Sequence, residues 1–264
     1  MQPRHGWLSP MMRFAMLGSG SKGNATLIEH DGTRILVDCG FQLRETEARL
    51  LRLGVEPASL AAILVTHEHG DHLGGVGRLA RKHRVPVYMT YGTHRAWKDP
   101  DVPHLIRFSP HQRFEIGGLA IEPYPVPHDA GEPCQYVLRA GARKIGILSD
   151  AGHISSHMRE MLADCDALTL ECNHDPQLLR DGPYHASLKL RVGGDRGHLS
   201  NAQAAGLLGG YALARLQHLV LTHLSEVNNR PELALAAVRA VIGDELPGLR
   251  CADQELGLDW CEVV

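Results

Sequence analysis

Residues 66–72 read Thr66-His67-Glu68-His69-Gly70-Asp71-His72, and His67, His69, Asp71 and His72 place four metal-binding side chains within six residues. An apolar run, Ala61-Ala62-Ile63-Leu64-Val65, stands just before them and reads as a buried strand. Leu73-Gly74-Gly75 follows, then a helix-like stretch to His83. The ligands are therefore expected on a loop held between a strand and a helix. Side chains two apart in extended backbone share one side, so His67 and His69 point the same way. Asp71 and His72 come after the Gly70 turn and aim at a second point. So tight a loop does not wrap all four ligands around one ion. It fits two adjacent cations whose shells are completed by distant residues.

Three later positions supply such residues. His128 lies in Val126-Pro127-His128-Asp129, Asp150 in Ile147-Leu148-Ser149-Asp150-Ala151-Gly152, and His223 in Leu219-Val220-Leu221-Thr222-His223-Leu224. Each ends an apolar strand-like run. Alone, each reads as a cap or a surface residue; in order after residues 66–72 they form a set. That set resembles the metallo-β-lactamase superfamily, whose signature is His-x-His-x-Asp-His. The resemblance implies an α/β fold, a four-layer αβ/βα sandwich with a dinuclear site at one edge of two facing sheets. It implies that His67, His69 and His128 bind the first ion, that Asp71, His72 and His223 bind the second, and that Asp150 bridges them. A water or hydroxide between the ions is then the nucleophile, with Asp71 orienting it. True β-lactamases of the superfamily lack the final His of the signature, so His72 argues against that activity. Imidazole and carboxylate ligands suit Zn(II), Mn(II) or Fe(II), so the donor set leaves the metal open.

Three further segments look like those of the YycJ/WalJ-like proteins: Phe14–Thr26, Glu171-Cys172-Asn173-His174-Asp175, and Gly197-His198-Leu199-Ser200-Asn201. This resemblance implies a metal-dependent phosphodiesterase acting as a 5′-to-3′ exonuclease on DNA. By the same resemblance His198 is the candidate acid for the leaving oxygen, ordered by the flexible Gly197 and a helix N-cap at Ser200. Glu171, Asn173, His174 and Ser19 are expected to support the ligands or touch the scissile phosphate. The chain has no room for the large β-CASP insertion of the ribonuclease J relatives and no Gly/Pro-rich arm of the transfer-RNA 3′-processing kind. The substrate is then a DNA end or a small, cyclic phosphodiester. A non-hydrolytic iron-binding protein and a non-catalytic regulatory partner are the alternatives from other classes.

The rest of the chain bounds this reading. No linker or low-complexity tract divides the 264 residues, so one domain over 1–264 is expected, with 1–12 as a disordered extension. Aromatic residues are scarce, so aliphatic side chains and Ala must fill the core. No apolar stretch has the length of a membrane span, and six Cys without a C-x-x-C pair suit a reducing cytoplasm. The formal net charge of −3 speaks against tight non-specific binding to nucleic acid, so bound dications would be the main local attraction for a phosphate. Two basic groupings, Arg78-Arg81-Lys82-Arg84 and Lys189-Arg191-Arg196, read equally well as solvated faces. The Gly/Ser-rich loop 18–24 lacks the Walker pattern. Residues 174–200 read as an irregular polar cover over the site, and 201–213 as a helix.

Overall fold

Phe14, Met16, Ile28, Ile35, Val37 and Leu64 alternate along the sequence with Ala15, Leu17, Leu27, Leu36 and Ile63, and both sets are buried. A strand apolar on both faces must be covered on both faces. In the computed structural model, which describes residues 11–99, 101–211, 213–244 and 246–264, this is what the strands do. The first half supplies β1 (Met12–Gly18), β2 (Ala25–His30), β3 (Thr33–Val37), β4 (Leu60–Leu64), β5 (Val87–Thr90) and β6 (Leu105–Phe108). The second half supplies β7 (Phe114–Ile116), β8 (Leu119–Pro125), β9 (Cys134–Ala140), β10 (Arg143–Leu148), β11 (Ala167–Glu171), β12 (His218–Thr222) and β13 (Leu249–Cys251). The last strand, β14 (Leu258–Val263), returns to the first sheet and pairs antiparallel with β1.

The sheets run β14-β1-β2-β3-β4-β5-β6 and β13-β12-β11-β10-β9-β8-β7. Their halves repeat one plan. β1, β2 and β3 are antiparallel neighbours, and β3 to β6 are parallel. Likewise β7 to β10 are antiparallel, and β10 to β13 are parallel. Phe14, Met16, Ile35 and Phe108 of the first sheet meet Ile121, Tyr136, Leu138 and Ile147 of the second in one inner core. The outer face of the first sheet is covered by α1 (Leu43–Arg52), with α2 (Gly70–Leu73), α3 (Val76–His83) and α4 (Tyr91–Ala96) on the same half. The other half carries α5 (Ser156–Leu162), α6 (Pro176–Asp181), α7 (Ala186–Val192), α8 (Asn201–Leu208) and α9 (Pro231–Ile242). The four-layer αβ/βα sandwich is the observed fold.

Local departures from the sequence reading have physical causes. The helix expected after Gly75 up to His83 is α3; the departure is α2, a short helix that carries Asp71 and His72 where a loop was expected, and residues 38–41 run against it. Cys39 N–H donates to His72 O at 2.7 Å and Asn24 N–H to Asp71 O at 2.7 Å. A Cβ on Gly40 would stand 1.9 Å from Asp71 O, so only glycine lets the two segments touch. The cover 174–200 is not irregular. Asp175 caps α6 by accepting from Gln177 N and Leu178 N, with Pro176 at the first helical position, and α7 follows. The helix α8 stops at Leu208, before Gly209-Gly210, short of the expected residue 213. Of the expected extension, residues 1–10 lie outside the described residues, and Met12 already belongs to β1. Among the described residues no helix is long and apolar enough to cross a membrane.

Candidate metal centre

The chain reaches the site where parallel strands end. Asp38 follows β3, Thr66 and His67 follow β4, Asp150 follows β10, Glu171 closes β11, and His223 follows β12. Such carboxyl ends are where α/β sheets place ligands. Asp38, Asp150 and His223 all sit at positive φ, 62°, 47° and 54°. Left-handed backbone of this kind costs a non-glycine residue about 1 kcal/mol or more, and it clusters where side chains must be aimed.

Three imidazole nitrogens converge at one point. His67 Nε2 lies 3.0 Å from His69 Nδ1, and His128 Nε2 lies 3.2 Å from the same atom. Beside them, Asp150 Oδ2 stands 3.2 Å from His67 Nε2 and 2.6 Å from His72 Nε2. Asp71 Oδ2 stands 3.2 Å from His223 Nε2 and 3.5 Å from His72 Nε2. The sequence-predicted ligands thus gather into two adjoining groups, His67-His69-His128 and Asp71-His72-Asp150-His223, with Asp150 facing both.

The far ring nitrogens show whether a cation suits these groups. His128 Nδ1–H donates to Gly197 O at 2.9 Å. His72 Nδ1–H donates to Asp38 Oδ2 at 2.7 Å. Thr66 Oγ1–H donates to Asp38 Oδ2 at 2.8 Å, so Thr66 Oγ1 accepts from His67 Nδ1 at 3.0 Å. Each of these hydrogen bonds leaves an Nε2 lone pair aimed inward, with the tautomers assigned from the network. Lone pairs then face lone pairs, and in the case of His72 a carboxylate oxygen. Acceptors converging on acceptors are the donor set of a divalent cation, each imidazole oriented through its other nitrogen. The residues present fit two such ions.

A third cluster, Asp150-Glu171-His198-His223, is of another kind. Glu171 Oε1 accepts from His198 Nδ1 at 2.7 Å and from His223 Nδ1 at 3.2 Å. Its Oε2 accepts from Ala151 N at 3.0 Å and Leu199 N at 3.2 Å. Both oxygens are committed to N–H donors. Burial would raise the Glu171 carboxyl, but His198 and His223 outweigh it and hold it at about 2. Burial would lower His198, but Glu171 and Asp150 outweigh that and lift it to about 9. Cations on the neighbouring ligands would act on His198 in the opposite sense. With Nδ1 committed, Nε2 is the nitrogen His198 has for the cleft. That cleft, about 360 Å³, is lined by Asp71, Asp150, His198, His223, Tyr184 and Arg191 among others.

Residues 33–224 match the beta-lactamase superfamily domain. The chain belongs to this family. It is 35% identical over 243 residues to exodeoxyribonuclease YycJ of Bacillus anthracis, covering 89% of this chain and 90% of that one. It is 35% identical over 228 residues to exodeoxyribonuclease WalJ of Streptococcus pneumoniae, covering 84% and 85%. The metallo-beta-lactamase fold protein YhfI of Bacillus subtilis superposes with a TM-score of 0.73 at 18% identity, covering 96% of this chain and 99% of that one, a likeness of fold.

In this beta-lactamase superfamily domain the other expected residues divide. Ser19 Oγ accepts from His223 N at 2.8 Å, so it braces the backbone of a candidate ligand and does not line the cleft. Asn173 Nδ2 donates to His223 O at 3.1 Å and lines the cleft. His174 is different. Its ring is buried with Nδ1 unpartnered among the described residues, and burial lowers it to about 4. Its backbone accepts from Asn201 N at 2.9 Å, at the start of α8, so it belongs to the packing and not to the ligands. Glu171 and Asn173 point one way and His174 the other, as alternation in extended chain requires. Cys172 is fully buried, its thiol pushed well up by burial, and takes no part.

The sequence reading missed Asp38, Thr66 and Asn24. Asn24 Nδ2 reaches His72 Nε2 at 3.2 Å and Asp71 Oδ2 at 3.4 Å. A signal for Asp38 was present: Leu36-Val37-Asp38-Cys39-Gly40 has the same shape as Leu148-Ser149-Asp150-Ala151-Gly152.

Proposed function

We propose that the protein is a metal-dependent phosphodiesterase that degrades DNA from a 5′ end. The observation that carries this reading is one continuous array: two adjoining candidate ligand groups with Asp150 Oδ2 near a histidine of each, and His198 poised beside them on Glu171. The proposed ligands are His67, His69 and His128 on one side, and Asp71, His72 and His223 on the other, with Asp150 Oδ2 between. Zn(II) or Mn(II) suits such a set, and so does Fe(II). When bound, the ions make hydroxide available at neutral pH and offset charge at the phosphate oxygens. The chain does the rest. Asp71, its side chain 25% exposed, orients the attacking water. As the P–O bond breaks, His198 Nε2 gives its proton to the leaving oxygen. Glu171 keeps the imidazole turned and charged for that transfer. The names of the YycJ and WalJ relatives support DNA as substrate. One domain working in the cytoplasm completes the proposal.

DNA duplexes and single strands labelled at either end test it. Incubated with Mn(II) or Zn(II), the protein releases 5′ label first, and exhaustive chelation stops the release. Activity that survives chelation ends the metal reading. Label released only from 3′ ends, or hydrolysis confined to small cyclic phosphodiesters, replaces the substrate.

A further inference from the structure

The cleft lined by the proposed ligands is also lined by Tyr184, Arg191 and Val192, from the α6–α7 segment. The helix α7 buries none of its side chains, and Leu190 on it is 77% exposed. Apolar packing therefore does not account for its sequence. Its end is nonetheless firmly tied to the site. His198 N–H donates to Val192 O at 2.8 Å, and Asp129 N–H donates to Arg196 O at 3.0 Å. A Cβ on Gly197 would stand 2.1 Å from Arg191 O, so glycine is what lets the end of α7 close onto the segment that carries His198.

Arg191 is aimed as well as anchored. Its Nε donates to Asp129 Oδ2 at 2.6 Å, next to the ligand His128. This engages one of its five N–H donors, and no described residue accepts from the two terminal nitrogens. As a surface ion pair the contact contributes little to stability. As a brace it presents the rest of a planar fork, the geometry that matches phosphate oxygens. In a chain of net charge −3, a guanidinium at this mouth is a specific feature. Tyr184 lines the same cleft, half-buried, after Gly182-Pro183.

We propose that Tyr184 and Arg191 form the site for the nucleotide adjoining the scissile phosphate, Arg191 pairing with its phosphate and the Tyr184 ring stacking on its base. This rests on the phosphodiesterase reading and adds a preference within it. A small cyclic phosphodiester has no neighbouring phosphate to offer Arg191, so the site selects a polynucleotide. Base stacking is tolerant of sequence, so the site favours no particular base.

Two measurements test the site. In the first, a single-stranded decadeoxynucleotide and bis(p-nitrophenyl) phosphate are hydrolysed by wild type, Arg191→Ala, Tyr184→Ala and Tyr184→Phe. Arg191→Ala lowers kcat/KM on the oligonucleotide by about 10- to 100-fold, chiefly through KM, as expected for one charge-assisted hydrogen-bonding group. The loss on bis(p-nitrophenyl) phosphate is at least about tenfold smaller. Tyr184→Ala costs about 5- to 100-fold on the oligonucleotide, and Tyr184→Phe recovers most of it. Equal losses on both substrates, or no rescue by Phe, overturn the proposal. In the second, a fluorescein-labelled decadeoxynucleotide with phosphorothioate linkages, which resist cleavage, is titrated into the metal-loaded protein. Arg191→Ala weakens binding and lowers the slope of log K against log salt by about 0.7, one single-strand phosphate contact. An unchanged slope and affinity refute the site. If wild type hydrolyses bis(p-nitrophenyl) phosphate but no oligonucleotide, the exonuclease reading falls by itself, and the titration still decides the site.

Discussion

Replacing Asp38 by Asn changes one atom on a residue that is itself no proposed ligand and does not line the cleft, yet it should disturb both ion sites. Asp38 Oδ1 accepts from Thr66 N at 2.8 Å, and an Asn oxygen can keep that bond. Asp38 Oδ2 accepts from both His72 Nδ1, at 2.7 Å, and Thr66 Oγ1, at 2.8 Å. An amide NH2 in that place donates where it used to accept. His72 Nδ1 must then become the acceptor, which moves its proton to Nε2, 2.6 Å from Asp150 Oδ2. Thr66 Oγ1, now receiving from the amide, turns its own proton toward His67 Nδ1, 3.0 Å away. His67 then also carries its proton on Nε2, facing His69. Both lone pairs offered to cations are lost. Changing the partner of a ligating His ordinarily costs 10- to 100-fold in affinity, about 1.4 to 2.7 kcal/mol. With His72 bonded directly and His67 reached through a hydroxyl, Asp38→Asn should weaken the second site by about 100-fold and the first by about tenfold. Competition titrations of Zn(II) and Mn(II) against a chromophoric chelator read the two affinities, and circular dichroism checks the fold. The Asn side chain has the shape of Asp. If Asp38→Asn binds both ions as tightly as wild type, the tautomer argument is wrong, and Asp38 serves only to fill space.

Three other perturbations probe separate parts of the account. His198→Ala should slow release of a nucleotide from DNA by about 10²- to 10⁴-fold but p-nitrophenolate release by far less, since that group leaves without a proton; equal slowing removes His198 as the acid. Tyr136 O–H donates to Val65 O at 2.6 Å across the two sheets, so Tyr136→Phe should lower unfolding free energy by about 1–3 kcal/mol, read from the denaturant midpoint, and no change would mean that the carbonyl finds another donor. Burial would raise Glu29 above its ordinary 4.5, but hydrogen bonds from Arg34 and Arg13 outweigh it and lower it. A lowered folded value stabilises above the unfolded one, so Glu29→Gln should melt earlier than wild type at pH 7, and the gap should close as pH falls below about 4.5; a gap that persists at pH 2 refutes the linkage.

How much of this could be read from the chain depends on where each signal lay. His67, His69, Asp71 and His72 were legible because their spacing is unusual and an apolar strand run leads into them. His128, Asp150 and His223 were legible by their order behind that run. Asp38 was not, since one acid after one strand has many ordinary explanations, and its partner His72 lies 34 residues on. The helices α6 and α7 escaped because α7 buries nothing, so no apolar period marks it, although Asp175-Pro176 did announce the start of α6. His174 misled through adjacency: it stands next to two residues of the site and faces away from them. Tyr184 carries no pattern of any kind, and only the folded cleft brings it beside Arg191.

The doubled plan of the sheets has a mechanical consequence. His67, His69, Asp71 and His72 all come from the first half of the chain, whereas His128, Asp150 and His223 come from the second. Either ion would therefore be a rivet through two leaves, with nothing on one leaf alone able to close its shell. Grip on the ions and mating of the leaves become a single equilibrium, in which stripping the rivets loosens the seam and prying the seam apart sheds the rivets.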